Sequence, residues 1–378
     1  MTHQTNVKQH TLVLNPGSSN LKWAVYDELK LGLPEAIGTD TDFDIGNILT
    51  DLLSQYTLRR VVVRIVHGGQ KYHHPLLVSE KNLHEFRALN NLAPLHNPVA
   101  IKMIESLLLG FSHFQIIAVF DTEFFWDLPR VAQAYGLPVA LSKKYNLRRY
   151  GFHGFAHASM LDYWQKIHSK IAPHRIITVQ LGSGCSMAAI LNGKPIDTTM
   201  GFTPNEGLLM STRSGDLDSC LLTWLQVREG WSPEEAEHVL NQTSGWAGMS
   251  GGIHNMAELL EDATQESQLA IELFCHRIRK TLGAYIALLG GLDGVVLSGG
   301  ISENNEKMCR QLLAGMEHFG IRLYVDKPMD PSVNSLAIKD SSRLPARLTS
   351  EESQVECWII SVDEASAMLR SVKKSYFH

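Results

Sequence analysis

Two hairpin-like segments of the same make-up lie far apart in this chain and limit the folds open to it. In the first, Thr11–Leu14 reads as a strand that runs into Asn15-Pro-Gly-Ser-Ser-Asn20, and Leu21–Tyr26 follows as a second strand. In the second, the strand Ile176–Val179 leads through Gln180-Leu-Gly-Ser-Gly-Cys185 to the strand Ser186–Leu191. With Asn15 set against Gln180, Gly17 meets Gly182 and Ser18 meets Ser183. The match implies two related halves, each opening with a glycine-turn hairpin. The competing reading is chance, because Gly and Ser are common between strands.

The stretches between and after these hairpins alternate in type. Arg60–Val66 is rich in β-branched residues, and Gln115–Phe120 and Gly294–Leu297 are short apolar runs. Each ends at a polar cluster: His67-Gly-Gly, Asp121-Thr-Glu and Ser298-Gly-Gly-Ile-Ser-Glu-Asn304. Helical spacing of apolar residues fits Val99–Leu109, Pro233–Leu240 and the long Gln268–Leu289. Alternating strands and helices make an α/β architecture. Polar loops at strand ends are where such folds build their sites.

Composition narrows the function. The 378 residues are 44% hydrophobic and 19% charged, a globular balance, and carry a formal charge of −5. A nucleic-acid surface is normally basic, so no nucleic-acid partner is expected. No apolar run approaches the roughly 18 residues of a membrane span, and the polar start MTHQTNVKQH is no secretory signal. The five cysteines are dispersed without a CxxC pair, against a disulfide framework or a thiolate metal site. A soluble, cytoplasmic protein is the expectation.

Three glycine turns end strands, at 15–19, 182–184 and 299–304, and Lys22 follows the first. Successive backbone N–H groups in such turns can nest a phosphate, although none matches the Walker pattern and a tight hairpin is the plainer reading. Arg64 sits inside an apolar run, where a charge must be paired or used, unless it belongs to an edge strand and reaches solvent. Arg213 lies in Met210-Ser-Thr-Arg-Ser-Gly-Asp216, either as an anion ligand or in a salt bridge to Asp216 or Asp218. Phosphoryl transfer needs fixed positive charge of this kind. His153 and His157 have i, i+4 spacing, but zinc is disfavoured by the missing HExxH glutamate and by Gly154. Asp121 reads as a magnesium-linked carboxylate or a helix N-cap. Glu351 and Glu352 read as first-turn acids of a helix opened by Thr349-Ser350. His96 reads as a helix-entry residue.

Taken together, the segments resemble the acetate kinase family. They are LVLNPGSSNLKW (12–23), RIVHGG (64–69), LAPLHNP (92–98), AVFDT (118–122), RRYGFHG (148–154), DTTMGFTPNEGLLMSTRSGD (197–216), LSGGISEN (297–304) and LTSEE (348–352), in family order. The resemblance implies the actin-like ATPase (ribonuclease H-like) fold, two related α/β domains around a central cleft. It places 1–122 with 351–378 in the first domain and 123–350 in the second. It implies reversible transfer between acetyl phosphate and ADP, giving acetate and ATP, with Mg2+ or Mn2+, in a homodimer. By the same resemblance Asp121, His153 and Arg213 are catalytic. Arg64 holds the carboxylate, with Val66, Leu95, His96, Phe152 and Pro204 around it. Lys22, Gln180, Leu181, Gly182, Ser183, Gly184, Asn255, Met256, Ala257, Gly300, Ile301, Ser302, Glu303 and Asn304 line the nucleotide side, and Asn15 and Glu351 serve the metal.

The sequence departs from the family pattern mainly on the nucleotide side. Gln180-Leu-Gly-Ser-Gly184 replaces His-Leu-Gly-Asn-Gly, Asn255-Met-Ala257 replaces Asp-x-Arg, and Gly300-Ile-Ser-Glu-Asn304 replaces Gly-Ile-Gly-Glu-Asn. Phe125 stands where a histidine is usual, Phe155-Ala156 replaces Thr-Ser, and the stretch from Lys22 to Arg64 is short. Two other readings follow. One is a relative that uses pyrophosphate, phosphate or another nucleotide; the other is a catalytically weak, nucleotide-binding regulator.

Overall fold

The protein was described from a computed structural model, which covers residues 8–17, 20–28, 33–94, 96–168, 174–324 and 345–376. Leu95 and Ser18, named above, lie outside the described residues. The chain divides into two compact units, Met1–Trp126 with Asp363–His378, and Asp127–Val362. The return to the first unit begins at Asp363 rather than at 351, because the strand just before it completes the second unit's sheet.

The first unit is built on six strands: β1 (His10–Pro16), β2 (Leu21–Asp27), β3 (Ala36–Asp40), β4 (Leu58–Ile65), β5 (Leu76–Leu77) and β6 (Gln115–Phe120). Their order across the sheet is β3-β2-β1-β4-β6-β5. β1, β4 and β6 run parallel, while β2, β3 and β5 pair antiparallel. The central strands are buried on both faces and so read as continuous apolar runs. Leu12, Leu14, Val61, Val63, Ile65, Ile116, Ala118 and Phe120 pack into one core with residues of helices Ile45–Leu53, Glu80–Ala88 and Asn97–Gly110. The alternate residues of these strands point the other way. There the C-terminal helix Glu364–Tyr376 packs on β1, β4 and β6.

The second unit repeats the plan with β7 (Arg175–Leu181), β8 (Cys185–Leu191), β9 (Lys194–Thr198), β10 (Gly294–Ser298), β11 (Ala346–Arg347) and β12 (Glu356–Ile359). The order is β11-β12-β10-β7-β8-β9, with β7, β10 and β12 parallel and the others antiparallel. Matching β1 to β7 and continuing in chain order superposes the two orders and every strand direction. The repeat seen in the hairpins therefore extends to the whole sheet. Within the hairpins Asn15 faces Lys22 and Gln180 faces Ser186, the second turn being one residue shorter.

Helix Gly154–Ile167 packs on β7 and β10, and helix Gln265–Leu289 on β7 and β8. The long helix starts at Thr264, whose hydroxyl accepts from Ser267 N–H, and stops at left-handed Gly290. Three local expectations change. Gly154 does not break a helix but opens one, with His153 as its N-cap at φ 57°. The segment expected to be helical to Leu240 leaves the α-helix at His238 for a π turn, Val239–Thr243. Thr349-Ser350 starts no helix; Glu351 and Glu352 occupy an exposed turn before β12. Among the described residues no helix is long and apolar enough to cross a membrane.

Trp164 is fully buried and fills the space over Gly294, where any side chain would overlap its ring. Trp164→Ala is expected to cost about 3–5 kcal/mol. A lowered urea midpoint measures it, and an unchanged midpoint would show that this packing contributes little.

Candidate active site

In the first unit the polar residues gather where the three parallel strands end. Asn15 and Arg64 sit at the C-terminal ends of β1 and β4, and Asp121 directly follows β6. The two-residue period puts all three on the face covered by the C-terminal helix. Arg64 Nη1 donates to Asn15 Oδ1 at 3.1 Å, and Nη2 to Asp121 at 2.8 Å. Asn15 Nδ2 donates to Glu364, the first residue of that helix, at 2.5 Å. Lys22 is exposed on β2 directly across from Asn15.

Burial opposes the Arg64 charge, but Asp121 and Glu364 outweigh it and raise the guanidinium above its ordinary pKa. Arg64 is therefore no edge-strand arginine; β4 has neighbours on both sides. Its Nε is buried with no partner among the described residues, so one donor of the fork is unspent. Asp121 is fully buried against this guanidinium. The helical turn beyond it is instead preceded by Thr122.

Glu364 was not singled out in the sequence. Its signal was available, since Ser361-Val-Asp-Glu364 follows the apolar run of β12 just as Asp121 follows that of β6. The acid that joins Asn15 is Glu364. Glu351, expected to share a metal with Asn15, lies exposed in the second unit. Among the described residues no group of three or more His, Cys, Asp or Glu side chains forms a cation cage. Val66 is buried just beyond β4. His96 is the N-cap of Asn97–Gly110 without a side-chain capping bond, and Asn97 instead ties down the 67–69 turn through both backbone groups of His67.

The second unit brings His153, Arg213 and the 182–184 turn together. A Cβ placed on Gly184 would lie 3.3 Å from His153 Nε2 and 3.4 Å from Arg213 Nη1. An imidazole edge and a guanidinium thus converge over a glycine that leaves them room. Among the described residues Arg213 makes only weak neutral contacts, to the Pro204 carbonyl at 3.2 Å and Met210 Sδ at 3.7 Å. The salt bridges considered for it are absent: Asp216 accepts from Gly207 N–H, and Asp218 caps helix Ser219–Glu229. Burial holds the Arg213 pKa below its ordinary value, opposed by Cys185. That thiol cannot neutralise it, because burial pushes its own pKa up to about 12.

The loop that carries Arg213 is held from several sides. Glu206 is bound by Arg149 and by the Tyr135 hydroxyl, which also accepts from Phe202 N–H. Ser211 N–H donates to the Ser183 carbonyl, and Thr212 Oγ1 to the Asn241 carbonyl. Phe152 is buried and Pro204 half-buried.

Several residues expected on the nucleotide side have local work. Asn255 is an exposed N-cap whose Oδ1 accepts from Ala257 N–H, and Met256 is in the core. Glu303 accepts from Gly299 N–H and Ser298 Oγ, both at 2.9 Å, so the 299–304 turn already holds a carboxylate at its first N–H. Ile301 and Ser302 are buried, and Asn304 bonds back to the Gly300 carbonyl. Gly299, at φ 91°, lies against the Leu181 carbonyl and the Gln180 amide, where no side chain fits. Gln180 Oε1 is buried without a partner among the described residues.

Comparison with known proteins places this arrangement. The family model described as the acetokinase family matches residues 42–370. The chain belongs to the acetokinase family. The acetate kinase of Brachyspira hyodysenteriae is 34% identical over 362 residues, 95% of this chain and 87% of that protein. The acetate kinase of Acetivibrio thermocellus is 39% identical over 302 residues, 79% of this chain and 75% of that protein. The crystal structure of Porphyromonas gingivalis acetate kinase matches at TM-score 0.82 and 29% identity, covering 97% of this chain and 99% of that one. A propionate kinase from Francisella tularensis matches at 0.83 and 29%, covering 96% and 98%. The acetokinase fold of this chain is thus the actin-like ATPase fold, two domains each with a mixed sheet and helices.

Removing Asp121 leaves Arg64 buried with its nearest countercharge gone. Asp121→Asn is expected to cost roughly 3 kcal/mol or more in urea unfolding. Replacing both partners by apolar residues is expected to recover most of that loss. A single variant as stable as the parent would mean that the ion pair is not what holds these strand ends.

Proposed function

We propose that the chain is an acetate kinase, a phosphotransferase that moves a phosphoryl group reversibly between acetyl phosphate and ADP. The observation that carries this is Arg213: a largely buried guanidinium without a carboxylate partner among the described residues, beside the His153 edge and over the Gly184 turn. A desolvated cation in that state favours an anion strongly.

The chemistry follows from charge. A carboxylic acid titrates at about 4, so acetate is already ionised at neutral pH. It needs no strong general base to attack. The obstacle is repulsion as one anion approaches another. Arg64, whose Nε donor is unspent, is the group that holds the acetate carboxylate. Arg213 and His153 offset the charge spread over the phosphoryl oxygens in a direct in-line transfer. Val66, Leu95, Phe152 and Pro204 are assigned to the acetate methyl group, with His96 near it. Gln180, Leu181, Gly182, Ser183 and Gly184 are assigned to the nucleotide phosphates, together with Lys22 and Gly300–Asn304; Asn255, Met256 and Ala257 are assigned to the adenosine.

The residues at the first strand ends fit a magnesium ion. Asp121 and Glu364 are carboxylates and Asn15 carries an amide oxygen, and magnesium characteristically takes one or two carboxylates with water and substrate phosphate. Asn15 and Glu364 would hold it, directly or through water, and Glu364 takes the role first given to Glu351 because it is the acid bonded to Asn15. When bound, the ion neutralises phosphate charge. Pyrophosphate use is not favoured by the relatives, whose names are acetate and propionate kinases. A regulatory binding protein has no need of so many buried charges around an anion site. We also infer two copies per assembly, for which light scattering should give twice the chain mass.

Acyl hydroxamate formation from acetate, ATP and magnesium tests the reading. Arg213→Ala is expected to lower kcat about 10²–10³-fold. Turnover with pyrophosphate but not ATP would refute the nucleotide assignment; failure with every donor would refute the activity. Glu364→Gln is expected to raise the magnesium concentration needed for half-maximal rate at least tenfold, whereas Glu351→Gln should leave it unchanged. The opposite pattern would return the metal role to Glu351.

A further inference from the structure

Ser186 carries a single hydroxyl proton and stands between two imidazoles. Its Oγ lies 2.8 Å from His153 Nδ1 and 2.8 Å from His157 Nε2. On the far side, His157 Nδ1 lies 2.7 Å from Thr178 Oγ1. Thr178, His157 and Ser186 are fully buried. These three and His153 come from β7, β8 and the start of helix Gly154–Ile167.

One hydroxyl proton serves one nitrogen, so the other nitrogen must bring its own proton to Ser186. With neutral rings this couples the whole chain to a single choice of direction. Running outward, Thr178 donates to His157 Nδ1, His157 Nε2–H donates to Ser186, and Ser186 donates to His153 Nδ1. The His153 proton is then on Nε2, the edge that faces the Gly184 turn and Arg213. Running inward, His153 Nδ1–H donates to Ser186, Ser186 to His157 Nε2, and His157 Nδ1–H to Thr178. The Thr178 proton is then left in the interior, where no acceptor is found for it among the described residues. An unsatisfied buried donor is costly, so the outward direction prevails.

We propose that Thr178, His157 and Ser186 are positioning residues that hold His153 in its Nε2–H tautomer, presenting a donor toward the anion held by Arg213. The proposal rests on the phosphoryl-transfer reading for the identity of that anion, but the tautomer does not. A donor supplied by a neutral ring needs no change of ionisation during the reaction. His153 holds a left-handed backbone conformation that a non-glycine residue seldom adopts, which aims its ring from the helix start.

Two measurements on the full chain decide this. Long-range proton–nitrogen NMR of histidine-labelled protein at neutral pH should show His153 with a bare Nδ1 and a protonated Nε2, assigned by its loss in His153→Gln. Ser186→Ala should convert that signal to mixed tautomers. In turnover assays Ser186→Ala should lower kcat about 10–100-fold with KM changed less than twofold. Ser186→Thr should restore it, and Ser186→Ala should add nothing on a His153→Ala background. Should Ser186→Ala fail to fold, Thr178→Val makes the same comparison by removing the first donor. A protonated Nδ1 with bare Nε2 in the parent, an unchanged tautomer in the variant, or independent effects of the two substitutions would overturn the relay. A parent chain without acyl phosphate turnover would overturn the activity alone, since the NMR result still decides the tautomer.

Discussion

In each sheet three neighbouring strands run parallel and stop at one edge, and the rest of the molecule is arranged around that constraint. Parallel strands need crossovers, so both faces are covered by helices and the strands become apolar. Polar residues then gather mainly at the strand ends, where the chain leaves the sheet. Groups brought there are close together and poorly solvated. Each must find a partner within the fold or be left for a ligand.

The two units answer this differently at matching places. Register sets Asn15, Lys22 and Arg64 in the first sheet against Gln180, Ser186 and Ser298 in the second. In the first set Arg64 is charged and met by Asp121, and Asn15 donates to Glu364. In the second, Ser186 meets two imidazoles and Ser298 donates to the Glu303 carboxylate, while the unit's cation arrives separately on the 207–216 loop. One backbone plan thus supports two kinds of polar site, as expected when function is carried by side chains grafted on a shared fold.

What the sequence revealed follows from the range of each signal. The hairpin repeat and the buried strands were legible because the two-residue period and glycine turns are local. Arg64 and Asp121 were legible because a charge inside or directly after an apolar run demands a partner. The Asn15–Glu364 pair was not legible, because its two members lie at opposite ends of the chain. Ser186 and Thr178 gave no signal at all. In an apolar strand a hydroxyl reads as a tolerated strand former, and only the tertiary approach of His157 gives it a task.

The departures on the nucleotide side have the same logic in reverse. Asn255 also has a local task at a helix start, where its Oδ1 accepts from Ala257 N–H. Glu303 occupies the first backbone donor of the turn that would nest a phosphate. A phosphate reaching that N–H must displace a carboxylate of like charge, so this turn offers it to an anion only when Glu303 rotates away. Gln180, whose buried Oε1 has no partner among the described residues, stands beside it. Its unspent acceptor can take a donor that arrives with a ligand, such as a hydroxyl or a water.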